Sequence, residues 1–145
     1  MSAGTTAGLV GLGPAPLDVG AHLAAVEDPG AGAVSVFVGQ VRDHDPAVTG
    51  PVVALEYTAH PDALSVLRGI ADRCAARTGV LGVAISHRTG LLEVGEAALV
   101  AVVATAHRGT AFDVCAQLVD EVKAELPVWK REVLADGSHV WVGAE

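Results

Sequence analysis

Apolar residues along this chain change their spacing from segment to segment, and the spacing predicts the elements. "AVSVFVGQV", residues 33 to 41, alternates with a period of two and is rich in valine, which predicts a strand. "VVALEYT" (52–58) and "VLGVAIS" (80–86) predict two more. "AALVAVVATA" (97–106) is almost unbroken apolar, the pattern of a central strand buried on both faces. A short strand is expected over Gly8–Leu12 after a frayed start. Helical spacing takes over elsewhere. Asp18 suits the N-cap of a short helix through Glu27, stopped by "EDPGAG". Pro61 fits the first turn of a helix to about Arg77, with Leu64, Leu67, Ile70 and Cys74 on one face and Gly79 after its end. Thr110 can cap a helix to Leu126, whose stripe is Phe112, Cys115, Val119, Val122 and Leu126. "RDHDPAVTGP" and "HRTGLLEVGE" read as loops. Pro127 begins the exit from the last helix, and "VWKREVLA" and "HVWVG" flank Asp136-Gly137, a hairpin turn signal. The sum is one α+β domain over residues 1–145, with a mixed or largely antiparallel sheet, two longer helices and a β-hairpin end.

Composition sharpens this in a few places. Of the 145 residues 51% are hydrophobic but only 3% aromatic, so the core must be built from Val, Leu and Ala. A net charge of −8 argues against a general nucleic-acid surface, and any anionic ligand must meet a local basic cluster. No apolar run approaches the roughly 18 residues of a membrane span, and the N-terminus lacks the basic start and apolar stretch of a signal peptide. A soluble cytoplasmic protein with reduced thiols is the expectation. Cys74 and Cys115 lie far apart without metal-type spacing, each on the apolar face of its helix, and read as structural.

Candidate chemistry gathers where cations are placed. "VKAELPVWKRE" (122–132) holds Lys123 and Lys130, the only two lysines of the chain, on either side of a Pro-Val-Trp step. Lys123 leaves the helix at the edge of the apolar stripe. In the strand after Pro127, Lys130 and Glu132 face one way, Trp129 and Arg131 the other. A bland reading stays open for each: a helix-end lysine that favours the dipole and snorkels, and an edge-strand Lys–Glu pair. "ATAHRGTAF" sets His107 and Arg108 where a buried strand meets a helix N-terminus, an arrangement suited to an anion; an arginine paired with a nearby carboxylate is the alternative. "SHRTG", with His87 and Arg88, reads better as a turn held by Gly90. In "FVGQVRDHD", Gly39 inside a strand signals a bulge or close approach, Arg42 is a further strand-end cation, and His44 between two aspartates is a weak metal signal. There is no P-loop, no Gly-x-Ser-x-Gly and no dinucleotide fingerprint. Arg42, His107, Arg108, Lys123 and Lys130 together fit an enzyme that binds a phosphorylated small molecule and receives its reactive group from elsewhere. A non-catalytic module binding a phosphorylated ligand or partner tail is the other class.

The same blocks carry a resemblance. "FVGQVRDHD", "LEYTAHP", "HRTGLLEVGE", "AHRGTAF" and "VDEVKAELPVWKRE", followed by "DGSHVW", resemble in order and spacing the large, catalytic subunit of molybdopterin synthase, over roughly residues 32 to 142. The resemblance implies an α/β hammerhead-type fold with an added β subdomain. It implies a homodimer within a heterotetramer, each large subunit binding a small ubiquitin-like sulfur carrier ending in Gly-Gly with a C-terminal thiocarboxylate. The reaction it implies is sulfur transfer to cyclic pyranopterin monophosphate, forming the molybdopterin dithiolene, with no cofactor or metal of its own. It maps catalytic roles onto Lys123 and Lys130, and substrate binding onto Gln40, Val41, Arg42, His107, Arg108, Arg131 and Glu132. The chain ends "WVGAE" rather than Gly-Gly, so a second chain is expected to bring the sulfur. The basic tail common in the family past the final tryptophan is not matched after Trp141.

Overall fold

The computed structural model describes residues 7–46, 48 and 50–142. The expected frayed start, two positions of the loop after Arg42 and the end of the last strand at Gly143 lie partly or wholly outside the described residues. Eleven elements follow one another: β1 (Leu9–Gly13), α1 (Val19–Ala25), β2 (Ala33–Gln40), β3 (Val52–Ala59), α2 (Ala63–Ala75), β4 (Val80–Arg88), β5 (Gly90–Glu93), β6 (Ala97–Thr105), α3 (Arg108–Glu125), β7 (Val128–Leu134) and β8 (His139–Val142). They build two four-stranded sheets, ordered β1-β4-β6-β2 and β5-β3-β7-β8. The first is mixed, with β1 parallel to β4 and the other pairs antiparallel; the second is antiparallel throughout. This is the expected α+β class.

The unbroken apolar run does become the central strand. Leu99, Ala101 and Val103 of β6 pack under α2 and α3, with Leu67, Ile70, Val114, Leu118 and Val122. Val100, Val102 and Ala104 face the other way, against Val26 at the end of α1. A third cluster of Val41, Val52, Leu55, Leu92, Ala98 and Leu134 joins the second sheet to the first. Among the described residues no helix is long and apolar enough to cross a membrane.

Four expectations need correcting. "HRTGLLEVGE" is not all loop: β4 runs on to Arg88, and Gly90–Glu93 form β5 against β3, with Leu92 fully buried. Gly90 and Gly95 bracket this strand at positive φ, and four residues are too few to show a period. Pro61 does not start α2; the Ala63 N–H donates to the His60 carbonyl across a turn with Pro61 at its second position, and the helix begins at Ala63. Helix α3 begins at Arg108, two residues before Thr110, with His107 in the N-cap place. Finally, Leu64 and Phe112 are exposed, Phe112 at 65%; the buried stripe of α3 is Ala111, Val114, Cys115, Leu118, Val119 and Val122.

Two glycines give opposite expectations. A Cβ at Gly82 of β4 would lie 2.9 Å from Val26 Cβ and 3.1 Å from the Val26 carbonyl oxygen, whereas one at Gly69 of α2 meets nothing within 4 Å. Gly82→Ala is expected to cost about 1–3 kcal/mol by forcing α1 off the sheet. Gly69→Ala is expected to stabilise by about 0.5–1 kcal/mol through helix propensity. Urea unfolding of the two variants checks both signs.

Candidate active site

A cavity of about 270 Å³ opens where the inner face of the second sheet meets the start of β6 and the last turn of α3. Phe37, Leu55, Leu99, Val122, Leu126 and Val128 supply its apolar wall, and Gln40, Arg42, His44, Asp45, Tyr57, His87, Lys123, Lys130 and Glu132 its polar one. Both lysines reach it, and local chemistry explains how. Helix α3 ends where the Leu126 N–H closes the last turn on the Val122 carbonyl, at 2.9 Å. Pro127 cannot continue a helix. Its carbonyl instead accepts the His60 N–H at 3.0 Å, which docks the chain beside the end of β3. Buried Leu126 and Val128 flank the bend. Strand β7 then runs antiparallel to β3 with Lys130 opposite Tyr57.

Alternation on β7 decides which side chains face inward. Val128, Lys130 and Glu132 line the cavity. Arg131 lies on the other face and donates to Glu56 of β3 at 2.8–2.9 Å, so its guanidinium is held away from the cavity. The edge-strand reading of Lys130 does not hold, because β7 is flanked by β3 and β8. Lys130 Nζ stands 3.8 Å from Asp45.

At the other wall the β2–β6 ladder shifts register between Gly39 and Gln40, the bulge that the glycine signalled. Beyond it Gln40 and Arg42 reach the cavity while Val41 turns into the core, 3% exposed. Glu132 is 2% exposed, and its Oε1 has no hydrogen-bond partner. Burial, then a hydrogen bond with Asp45 and the charge of Asp45, push its carboxyl up to about 6, against the opposing charges of Lys130 and Arg42. Tyr57 is likewise raised, by burial and then by Glu132.

His107 and Arg108 are not brought to this cavity. They are exposed at the far end of β6, which at about 3.3 Å per residue lies some 25 Å from the end at Ala97. Along α3, Arg108 precedes Lys123 by fifteen residues, about 22 Å. The Thr105 hydroxyl donates to the His107 carbonyl at 2.6 Å and fixes this junction.

Residues that sequence reasoning passed over complete the wall. Val83, Ile85 and His87 continue one alternation on β4, and that inward face was the available signal for His87; Leu55 and Tyr57 give the same signal on β3. Arg88 closes β4 rather than a turn, donating to Glu96 at 3.0 Å and to the Pro14 carbonyl at 2.9 Å. Burial raises both thiols, Cys74 to about 11, and neither lines the cavity. Among the described residues no three His, Cys, Asp or Glu side chains are grouped as a metal would need.

Known proteins give this geometry a context. The family model for the MoaE protein matches residues 12–125. "Molybdopterin synthase catalytic subunit 1" of Mycobacterium tuberculosis is 40% identical over 129 residues, covering 88% of this chain and 86% of that protein. Among solved structures, molybdopterin synthase from Staphylococcus aureus superposes with a TM-score of 0.82 at 28% identity, covering 91% of this chain and 95% of that one. A protein–protein complex of subunits 1 and 2 of molybdopterin-converting factor from Helicobacter pylori shares the fold, at TM-score 0.72 and 19% identity, over 92% and 89% of the two chains. The chain belongs to the MoaE protein family, the family of molybdopterin synthase catalytic subunits.

Proposed function

We propose that this cavity takes the thiocarboxylated Gly-Gly tail of a small ubiquitin-like subunit and passes its sulfur to cyclic pyranopterin monophosphate, forming the molybdopterin dithiolene. The observation that carries this reading is the meeting of both lysines of the chain in one cavity that also holds Arg42. A thiocarboxylate and a phosphate are both anions, and the sulfur arrives with the partner, so the site needs charge and shape rather than an activated cysteine. Lys123, in the last turn of α3, stabilises negative charge on the acyl group as it is released and moves protons during sulfur addition. Lys130 assists by charge and hydrogen bonding, held from behind by Asp45. Gln40 and Arg42 contact the pterin and its phosphate; Glu132 lines the wall beside them.

The same proposal includes a homodimer. Strand β2 is an edge of its sheet, and Val34, Val36 and Val38 are 46, 43 and 36% exposed. An open strand with an apolar face suits pairing with a second copy. Ala33 is paired with Thr105, beside His107 and Arg108, while Gln40 is paired with Ala97, beside the cavity. Antiparallel β2–β2 pairing about a two-fold axis would therefore carry His107 and Arg108 of one copy toward Gln40 and Arg42 of the other. That arrangement gives the two residues a phosphate-binding role that they lack within one chain.

Three outcomes are expected. In a reconstituted reaction with a thiocarboxylated small subunit and the pyranopterin, Lys123→Ala loses almost all product while the subunits still associate by gel filtration; wild-type product would remove Lys123 from the chemistry. Inactive Lys123→Ala and Arg108→Ala copies, mixed and allowed to exchange, regain about a quarter of wild-type activity, because half the dimers then hold one complete site; no recovery argues against a shared site. The third outcome concerns Glu132. Its folded pKa lies above its unfolded value, so the fold favours the protonated form. That stabilisation is complete below about pH 4.5 and is lost as pH rises through about 6. Glu132→Gln should gain about 1–2 kcal/mol relative to wild type between pH 4.5 and pH 7.5, measured by urea unfolding at both pH values.

A further inference from the structure

The sulfur donor imposes an atom balance. When a thiocarboxylate sulfur bonds a second carbon, the acyl group becomes a thioester. To free the sulfur, the acyl carbon must gain an oxygen from water: a C–O bond forms, the C–S bond breaks, its electron pair leaves with sulfur, and water gives up a proton. Nothing is oxidised or reduced, but a proton acceptor is required. A lysine that stabilises the developing oxyanion as a cation does not at the same moment take that proton.

The end of β4 offers an acceptor. His87 is 7% exposed and its ring lines the cavity together with Lys123. Its Nδ1 lies 2.7 Å from the Arg88 carbonyl oxygen, which can only accept, so the proton of the neutral ring sits on Nδ1. Nε2 is left bare. It makes no hydrogen bond to protein among the described residues, and it is not among the fully enclosed unpartnered atoms. Tyr57 packs edge-on against the ring, with centroids 4.9 Å apart and an interplanar angle of 83°, which fixes the ring plane. The Arg88 guanidinium, next in sequence, is turned away to Glu96 and Pro14.

We propose that His87 is a catalytic residue of this site, the general base whose Nε2 takes the proton from the water that splits the acyl–sulfur bond, with Lys123 facing the oxygen that gains charge. The proposal rests on the sulfur-transfer reading above. Charged and titratable groups around the ring agree with it. Burial disfavours the imidazolium most, the Arg88 carbonyl bond opposes it, and Lys123 on α3 adds to the burial effect; the net effect lowers the ring below its ordinary value. Tyr57 on β3 is held neutral by burial and by Glu132 on β7. The ring is thus neutral at physiological pH, as a base must be.

His87→Asn is the informative change, since the Asn amide can keep the donor to the Arg88 carbonyl and removes only the base. In single turnover with thiocarboxylated small subunit and pyranopterin, the variant should bind its partner and add sulfur. It should then accumulate a covalent small-subunit–pterin adduct, seen by mass spectrometry, whose release is slowed about 100-fold. Release at the wild-type rate overturns the proposal. A second measurement does not depend on how the variant folds. His44 and Glu132 are further titratable groups lining this cavity, so the pH–rate profile of adduct release is taken in a His44→Gln, Glu132→Gln background. An acid limb with a midpoint below about 6.5 is expected from His87, and a flat profile overturns the assignment. Absence of product from the wild-type complex would instead overturn the sulfur-transfer reading itself.

Discussion

The reversal at Leu126-Pro127-Val128 is the constraint on which the rest depends. Had α3 continued, Lys130 would stand seven residues and about 10 Å beyond Lys123 on the same side of one helix, with no wall between them. Proline ends the helix instead, and its carbonyl is taken up by the His60 N–H at the end of β3. Burial of Leu126 and Val128 on either side makes the bend part of the core rather than a surface loop. The strand that leaves it must run beside β3, and alternation then sends Lys130 and Glu132 inward. A helix end and a strand start become two walls of one cavity.

The arginines divide by the same logic. Arg73 bonds Glu121 and Glu125, and Arg77 bonds Glu121, clasping α2 to α3 on the outer surface. Arg88 secures Glu96 and Pro14, and Arg131 secures Glu56. These four are occupied by structure. The exposed pairs among them add little stability, so their main effect is to fix where helices and strands sit. Arg42, Arg68 and Arg108 make no ion pair among the described residues, and the sulfur-transfer reading uses Arg42 and Arg108. Sequence alone does not separate the two groups, because most of the deciding carboxylates lie far away; Glu56 and Arg131 are 75 residues apart.

What could be read in advance follows from range. The apolar run of β6, the bulge at Gly39 and the inward pair Lys130 and Glu132 depend on local period and backbone chemistry, and each is visible in a few residues. Strand β5 is not, since Leu91–Glu93 only become a strand when β3 lies alongside. His87 was hidden by its surroundings: "HRTG" has the composition of a turn, yet His87 and Arg88 both belong to β4, and only the alternation from Val83 reveals it. His107 and Arg108 show the other limit. A helix N-terminus with an arginine has the chemistry of an anion site, but within one chain it stands at the wrong end of β6. Phe112 failed for a simpler reason, because a stripe drawn one position to the side keeps most of its members.

Two carboxylates in a cavity for anions look contradictory until the charges are placed. Arg42, Lys123 and Lys130 contribute three positive charges, and Asp45 and Glu132 two negative ones when both are ionised, leaving one positive. Without the acids, three cations in a small, half-desolvated space would repel one another and lose their geometry; Asp45, 3.8 Å from Lys130, prevents that. The cost falls on Glu132, which is buried beside a second carboxylate and is accordingly hard to ionise. Its reluctance makes the local charge adjustable. On the sulfur-transfer reading an entering phosphate or tail would face the ammonium groups, and Glu132 can take up a proton instead of opposing it. An acidic protein of net charge −8 thus keeps one small positive cavity without paying for a permanently unbalanced cluster.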